Sequence, residues 1–138
     1  MAGVPTELRA KADSEKITIN LGYVDLGHID LLVREGFYGN RTDFIRTAIR
    51  NQLDRHAEAA TKSIRRLQLD LGLRHITRSE LETAQNQGEQ LDIRVLGLAT
   101  IAHDVSADLA AETIASLTIL GALQASAAVK AALADRIH

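Results

Sequence analysis

Residues 16–21, with the sequence KITINL, alternate strictly between polar and apolar side chains. The polar set offers an ammonium group, a hydroxyl and an amide, which are all hydrogen-bond donors. Because successive side chains of a β-strand point to opposite faces, the pattern predicts a strand with one hydrogen-bonding face and one buried face. The first face carries Lys16, Thr18 and Asn20, and the second carries Ile17, Ile19 and Leu21.

The predicted strand has no hairpin partner nearby in the sequence. Gly22 ends it, and the residues that follow have a helical pattern. A strand without a partner leaves its backbone N–H and C=O groups without hydrogen bonds. Pairing with its own copy across a two-fold axis satisfies these groups, so the strand predicts a homodimer.

Two amphipathic helices are predicted after the strand. The first covers residues 25–35 and stops at Gly36. The second begins after Thr42, its expected N-cap, and extends to about Lys62. The apolar stripes expected to be buried are Leu26, Ile29, Leu32 and Val33 in the first helix and Phe44, Ile45, Ala48, Ile49 and Leu53 in the second.

The order of strand, short helix, glycine-containing turn and longer helix resembles the ribbon-helix-helix family of CopG, Arc, MetJ and NikR-type repressors. The matching pieces lie within residues 15–56 and are the KITINL strand, the REGFYGNRTDFIR junction and the AIRNQL helix end. The first turn departs from the family, because GYVDLG replaces the usual short acidic N-cap. The resemblance implies an intertwined dimer whose two strands form an antiparallel ribbon in the major groove of double-stranded DNA.

The resemblance also implies roles for individual side chains. The base readers are Lys16, Thr18 and Asn20, since an amide can pair with the edge of adenine and an ammonium group can reach guanine acceptors. The helix start near Thr42 exposes backbone N–H groups that can hold a phosphate. The implied phosphate-binding residues are Arg41, Thr42, Asp43 and Arg46, and the implied dimer core is Ile17, Ile19, Leu21, Ile29, Leu32, Phe44, Ile45 and Ile49. The alternative is that KITINL is an ordinary edge strand and that Thr42 only caps a helix.

Three segments of the second half share a pattern around a glycine. The glycines lie 25 and 24 residues apart, and the residues four, eight and twelve positions after the last two correspond in type. Each segment reads as a short strand followed by a helix, which is typical of a short solenoid with parallel strands. The segments are LDLGLRHI around Gly72, IRVLGLATI around Gly97 and LTILGALQA around Gly121, with helices expected at 79–87, 107–115 and 127–137. A small α/β module of ferredoxin-like type that senses a ligand is the alternative.

The composition of the chain argues against several classes of function. Residues 1–66 have eleven Lys and Arg against nine Asp and Glu, whereas residues 67–138 have five against nine, so a mildly basic half precedes an acidic one. The sequence has no cysteine, and its five histidines are scattered, so neither a metal site nor a cofactor is expected. No phosphate loop, catalytic triad or carboxylate pair stands out, so an enzyme is not expected. The chain has no apolar run long enough to span a bilayer, which predicts a cytoplasmic, nucleoid-associated protein.

The predicted fold class is therefore α+β. It comprises a flexible arm (1–13), a ribbon-helix-helix domain for DNA binding and dimerisation (14–62) and a solenoid-like α/β repeat domain (64–138) for oligomerisation or effector response. The predicted function is transcriptional regulation, as a repressor. Two alternatives stay open: an antitoxin that binds a toxin partner, and a self-assembling structural protein that uses the ribbon only to dimerise.

Overall fold

The structure, a computed structural model, describes residues 14–138, which divide into two compact units at 14–63 and 64–138. The arm predicted for residues 1–13 lies outside the described residues. Three helices follow residues 14–22, which form neither helix nor strand in the single chain. The helices are α1 (Tyr23–Arg34), α2 (Arg41–Arg55) and α3 (Ala57–Leu67).

These bounds correct two expectations. The first helix begins at Tyr23 rather than at residue 25, with Gly22 as an N-cap whose missing side chain makes no capping bond. The single long helix expected up to Lys62 is two helices, because the chain departs from helical geometry at His56, where φ is −102° and ψ is 8°. The expected strand at 16–21 is absent from the single chain, since its backbone has no neighbouring strand to pair with in residues 14–138.

The predicted stop of the first helix at Gly36 is confirmed. Gly36 has a φ of +84°, the left-handed conformation that favours glycine after a helix end. Its N–H donates to the carbonyl of Val33 at 3.1 Å, and the Phe37 N–H donates to the carbonyl of Leu32 at 3.0 Å. This pair of bonds satisfies two helix-end carbonyls and turns the chain toward α2.

The unit at 14–63 has very little core of its own. Ile29 is its only fully buried apolar side chain, at 5% exposure. Leu32, Phe44 and Ile45 are half-buried. Contrary to the predicted burial, Ala48, Ile49 and Leu53 of α2 are exposed in the single chain, because nothing in residues 14–138 covers that side of the helix.

The unit at 64–138 alternates strands and helices and confirms the mixed α/β class with parallel strands. Its sheet has the order β1-β2-β3, and both pairings are parallel. A ferredoxin-like sheet contains antiparallel neighbours, so this arrangement argues against that alternative. The elements are β1 (Asp70–Ile76), α4 (Arg78–Asn86), β2 (Leu91–Ile101), α5 (Ala107–Thr113), β3 (Ile114–Gln124) and α6 (Ala127–Ala132).

The last two helices are shorter than predicted. The helix α5 ends at Thr113 instead of residue 115, because β3 begins directly after it. The helix α6 ends at Ala132 instead of residue 137, because the chain then turns toward a short pairing of Ile137 with Leu117. Each of α4, α5 and α6 is capped by a hydroxyl from Thr77, Ser106 and Ser126, respectively.

The residue-by-residue correspondence expected between the last two repeats is present in the strands but is lost after the strands end. Val105 and Val129 occupy the same offset from their glycines, but Val105 lies in a loop whereas Val129 lies in α6. The true counterpart of Val129 is Leu109, since the N–H of each is capped by the serine three residues before it. The chain is four residues longer from Gly97 to Ser106 than from Gly121 to Ser126, and this difference accounts for the shift.

The three glycines that define the repeat lie side by side across the sheet. Gly72 pairs with Gly97, and Gly97 pairs with Gly121, and their φ angles are +111°, +138° and +124°. A Cβ on Gly97 would lie 2.1 Å from the Gly72 carbonyl oxygen, and a Cβ on Gly121 would lie 2.1 Å from that of Gly97. Glycine is therefore required twice over, by backbone conformation and by the close approach of the neighbouring strand.

One core holds this unit together. It joins strand side chains such as Ile76, Val95 and Leu117 with helix side chains such as Leu81 and Ala110, all of which have no exposed surface. The opposite face of the sheet is partly open, and its apolar side chains include Leu71 and Leu73, each 71% exposed. The single core agrees with stacked strand-helix units that share one apolar layer.

We predict that Gly97→Ala destabilises the unit more than Gly72→Ala does. Both variants acquire the backbone strain of a positive φ, on the order of 1–3 kcal/mol. Within one chain, only the Gly97 variant also drives a Cβ into a carbonyl oxygen, and such overpacking adds about 1–3 kcal/mol, so the comparison is made at a protein concentration too low for this unit to associate. Urea unfolding of both variants at one fixed protein concentration measures the difference. Equal losses of stability would show that the close strand approach at Gly97 is not a constraint.

Candidate nucleic-acid interface

The start of α2 is capped by Asn40, not by Thr42 as the sequence suggested. The Asn40 side-chain oxygen accepts a hydrogen bond from the Asp43 N–H at 2.8 Å. The Asp43 carboxylate in turn accepts from the Gly39 N–H, also at 2.8 Å. This reciprocal arrangement fixes where the helix starts, and it places Thr42 inside the first turn.

Arg41, at the first position of α2, is bound to Asp30 of α1. The guanidinium donates two hydrogen bonds to the carboxylate, from Nε to Oδ1 and from Nη2 to Oδ2, each at 2.8 Å. The Arg41 hydrogen bond lowers the pKa of the Asp30 carboxyl below its ordinary value, and the same bond raises the pKa of Arg41. Arg41 therefore links the two helices in the unbound chain, a role that the sequence did not predict.

A shallow polar concavity lies at the beginning of α2. Arg46 and Arg50, one helical turn apart, line one part of it, and neither forms an ion pair within residues 14–138. The backbone N–H groups of Arg41 and Thr42 likewise have no hydrogen-bond partner in that part of the chain. Two free cations beside two free N–H groups at a helix N-terminus form a site suited to an anion such as phosphate. Its lining residues are Asn40, Thr42, Asp43, Arg46, Thr47 and Arg50.

The four residues predicted to bind phosphate thus differ in availability. Thr42 and Arg46 line the concavity, and both are exposed. Arg41 has its side chain engaged by Asp30, while both the N–H and the carboxylate of Asp43 are used in the capping arrangement. Asp43 would also repel a phosphate by charge, so we do not retain it in the proposal below.

Sequence reasoning missed two residues of this site. Asn40 precedes Asp43 by three positions, and that spacing is itself a helix-start signal, which the assignment of the cap to Thr42 overlooked. Arg50 follows Arg46 by four positions and so lies on the same helix face. Both signals were present in the sequence.

The segment at 16–21 exposes both of its predicted faces in the single chain. Ile17 is 72% exposed and Ile19 is 57% exposed, and the polar residues Lys16, Thr18 and Asn20 are exposed as well. The structure brings part of the predicted dimer core together around an apolar groove between this segment, α1 and α2. Its apolar lining consists of Ile19, Leu21, Ile29, Phe44, Ile45, Ala48 and Ile49.

Two other kinds of site have no counterpart among residues 14–138. No group of three or more His, Cys, Asp or Glu side chains is arranged there to hold a metal ion. No helix in that part of the chain combines the length and the apolar character needed to cross a membrane.

Comparison with known proteins gives one result. The model of a family described as the ribbon-helix-helix transcriptional regulator family matches residues 12–130. The match extends well beyond residues 15–56, where the sequence resemblance was seen, and takes in all three strands of the second unit. No curated protein and no solved structure matches the chain.

We predict that Asn40→Ala lowers the free energy of unfolding by about 1 kcal/mol, because the Asp43 N–H loses its acceptor at the helix start. Asn51→Ala is the matched control, since Asn51 lies exposed inside the same helix, where alanine is the better helix former. Urea unfolding at one protein concentration compares the two. An Asn40 variant as stable as the control would show that the Asn40 side chain does not stabilise the start of α2.

Proposed function

The chain belongs to the ribbon-helix-helix transcriptional regulator family, and we propose that it is a sequence-specific repressor that reads the major groove with a two-stranded ribbon. Family membership supports the coarser part of this statement, which is DNA binding by a dimeric transcriptional regulator, and members of such a family are typically not enzymes. The ribbon, the base readers and the repressor role are our proposal. A protein with this role would work in the cytoplasm, on the nucleoid.

One observation supports the ribbon most strongly. In residues 14–63, an unpaired segment with alternating side chains lies beside an apolar groove, and only Ile29 is fully buried. A second copy related by a two-fold axis supplies both missing components, a strand for the backbone groups of residues 16–21 and apolar side chains for the groove. This proposed intertwined dimer would complete a core that the single chain lacks.

The energetic gain from such pairing is considerable. Complete burial of an exposed isoleucine contributes about 1.5–3 kcal/mol. Ile17, Ile19 and Ile49 are each half to three-quarters exposed in the single chain. Each therefore stands to contribute about 0.7–2 kcal/mol on dimerisation, twice over in a symmetric dimer.

The polar face of the paired ribbon would then be free to enter the major groove. Lys16, Thr18 and Asn20 alternate with the buried residues, so pairing through the apolar face leaves all three on the opposite side. The Asn20 amide can make two hydrogen bonds with adenine, Lys16 can donate to guanine O6 or N7, and Thr18 offers a hydroxyl or a methyl group.

The concavity at the start of α2 would hold a backbone phosphate and so position the ribbon. Its contacts would be the Thr42 N–H, Arg46 and Arg50. Arg41 contributes its backbone N–H, and its side chain can join only if it leaves Asp30. Phosphate contacts of this kind set orientation and affinity, whereas base contacts set specificity.

We further propose that the ribbon-helix-helix module is followed by a repeat module, at 64–138, that adds oligomerisation or effector response. Its compact fold favours a regulator over an antitoxin, because antitoxins of this kind usually carry a short, charged, disordered tail. A structural protein that uses its ribbon only to dimerise would not need the free cations beside the start of α2.

We predict that Ile19→Asp dissociates the dimer. The aspartate would have to be buried without a partner in the ribbon core, at a cost of several kcal/mol. In the single chain this side chain is 57% exposed, so the monomer gains no comparable strain. Light scattering across a dilution series measures the change, with Thr18→Asp as the control on the opposite face. An Ile19 variant with an unchanged dimer constant would contradict the ribbon.

We predict different effects of base-reading and phosphate-binding variants on DNA. Asn20→Ala should cost about 1–3 kcal/mol at the cognate site and little on random DNA. Arg46→Ala should weaken binding to all sequences and lower the slope of log affinity against log salt by about one. Lys130→Ala, in α6, is the control and should change neither quantity. Titration of selected and random duplexes across a salt series tests all three, and equal loss on both duplexes for Asn20→Ala would contradict base reading.

A further inference from the structure

The two outer edges of the sheet in the second unit are complementary to each other. On the β1 side, nothing in residues 14–138 pairs with the outer edge of residues 70–76. On the β3 side, a short pairing of Ile137 with Leu117 covers only the first half of the edge, up to a bond from the Ile119 N–H to the His138 carbonyl. The stretch from Leu120 to Leu123 has no neighbouring strand beyond it in the described residues.

The geometry points to head-to-tail pairing of these edges: we propose that β1 of one copy docks in parallel onto the uncovered half of β3 of a second copy. This inference specifies the oligomerisation proposed above for residues 64–138 and is independent of DNA reading. It continues the sheet as β1-β2-β3-β1-β2-β3, with Gly72 of one copy opposite Gly121 of the next.

The backbone conformation of Gly72 and the empty space beside it favour this pairing. Gly72 has the same left-handed conformation as Gly97 and Gly121, with φ at +111°. At those two glycines, the space where a Cβ would stand is occupied by the carbonyl oxygen of the preceding glycine in the sheet. At Gly72 the same space is empty, with no atom within 4 Å. A strand placed beyond β1 in the same register would bring a glycine carbonyl into that space, and β3 of a second copy carries one at Gly121.

The lengths of the strands favour the same pairing. β1 is a strand of seven residues, whereas β2 and β3 each have eleven, and β1 pairs only with the later part of β2. In the proposed register, residues 71–74 lie opposite 120–123, which is the stretch that the Ile137 pairing leaves uncovered. The short first strand and the half-covered last strand therefore fit without displacing residues 136–138.

A row of apolar side chains on the open face of the sheet also favours this pairing. Leu71, Leu96 and Leu120 are paired in register across the sheet, and the exposed ends of this row are Leu71 at 71% and Leu120 at 49%. Joining two copies brings these two leucines side by side and continues the row. The stretches that would meet, 71–73 and 120–122, contain neither proline nor a charged side chain, and natural proteins usually cover such an edge.

Head-to-tail pairing is heterologous, because two different surfaces meet. Such contacts build rings when the rotation between copies closes and open filaments when it does not. Pairing of β1 with β1 of a second copy across a two-fold axis is the competing arrangement. It would be antiparallel and would stop at two copies.

Cysteine cross-linking of the full chain distinguishes these arrangements, since the sequence contains no cysteine of its own. In the proposed register, Leu73 of one copy lies opposite Ala122 of the next, by analogy with the Leu73–Leu98 and Leu98–Ala122 pairs. Within one chain, β2 separates these positions by two strand spacings, about 9.5 Å, which is too far for a disulfide. Any bond that forms in the Leu73→Cys/Ala122→Cys variant must therefore join two chains.

After mild oxidation, we expect this double variant to give dimers, trimers and higher multiples on a denaturing gel, all reversed by a reductant. Each single-cysteine variant should stay mainly monomeric on the same gel. The register control is Leu71→Cys/Ala122→Cys, which moves one thiol two residues along the strand and should cross-link several-fold less. A double variant that stays monomeric would overturn the proposal, and so would a dimer of equal yield from Leu73→Cys alone.

The same reduced samples are then titrated with DNA. Absence of the cross-linked series with DNA affinity retained would overturn the head-to-tail pairing alone. A full series with no DNA binding would instead contradict the function proposed for residues 16–21. The two proposals can therefore fail separately.

Discussion

Backbone groups that must be hydrogen-bonded set the organisation of this protein. Within residues 14–138, residues 16–21 have the alternation of a strand but no strand to pair with, the outer edge of β1 is unpaired, and that of β3 is only half covered. An unpaired buried N–H or C=O costs about as much as a lost hydrogen bond, so such edges are either covered or left in water. The unit at 14–63 depends on this constraint most, because it has almost no core in the single chain.

The sequence was informative wherever the determinant was local. Gly36 was expected to end α1, and it does so through a left-handed turn and two specific hydrogen bonds. The parallel strands around Gly72, Gly97 and Gly121 followed from a repeat visible in the residues. In both places glycine occupies a conformation that other residues rarely adopt, so the residue type itself indicates the local structure.

The sequence was less informative where two residues compete for one role. Thr42 and Asn40 are both good helix caps, and only the bond from Asp43 selects Asn40. Arg41 was assigned to phosphate by its position, but an aspartate eleven residues earlier is its partner in the structure. Ile49 and Leu53 were expected to be buried but are exposed in the single chain, because a helical stripe of apolar residues does not distinguish burial within one chain from burial between two.

The contact between the glycines of neighbouring strands also limits how this unit can change during evolution. What blocks a side chain at Gly97 or Gly121 is a main-chain oxygen, not another side chain. A second substitution elsewhere cannot make that oxygen smaller, so neither position can be rescued by a compensating exchange. Related sequences should therefore keep both glycines, and a designed library built on this sheet should hold them fixed from the start.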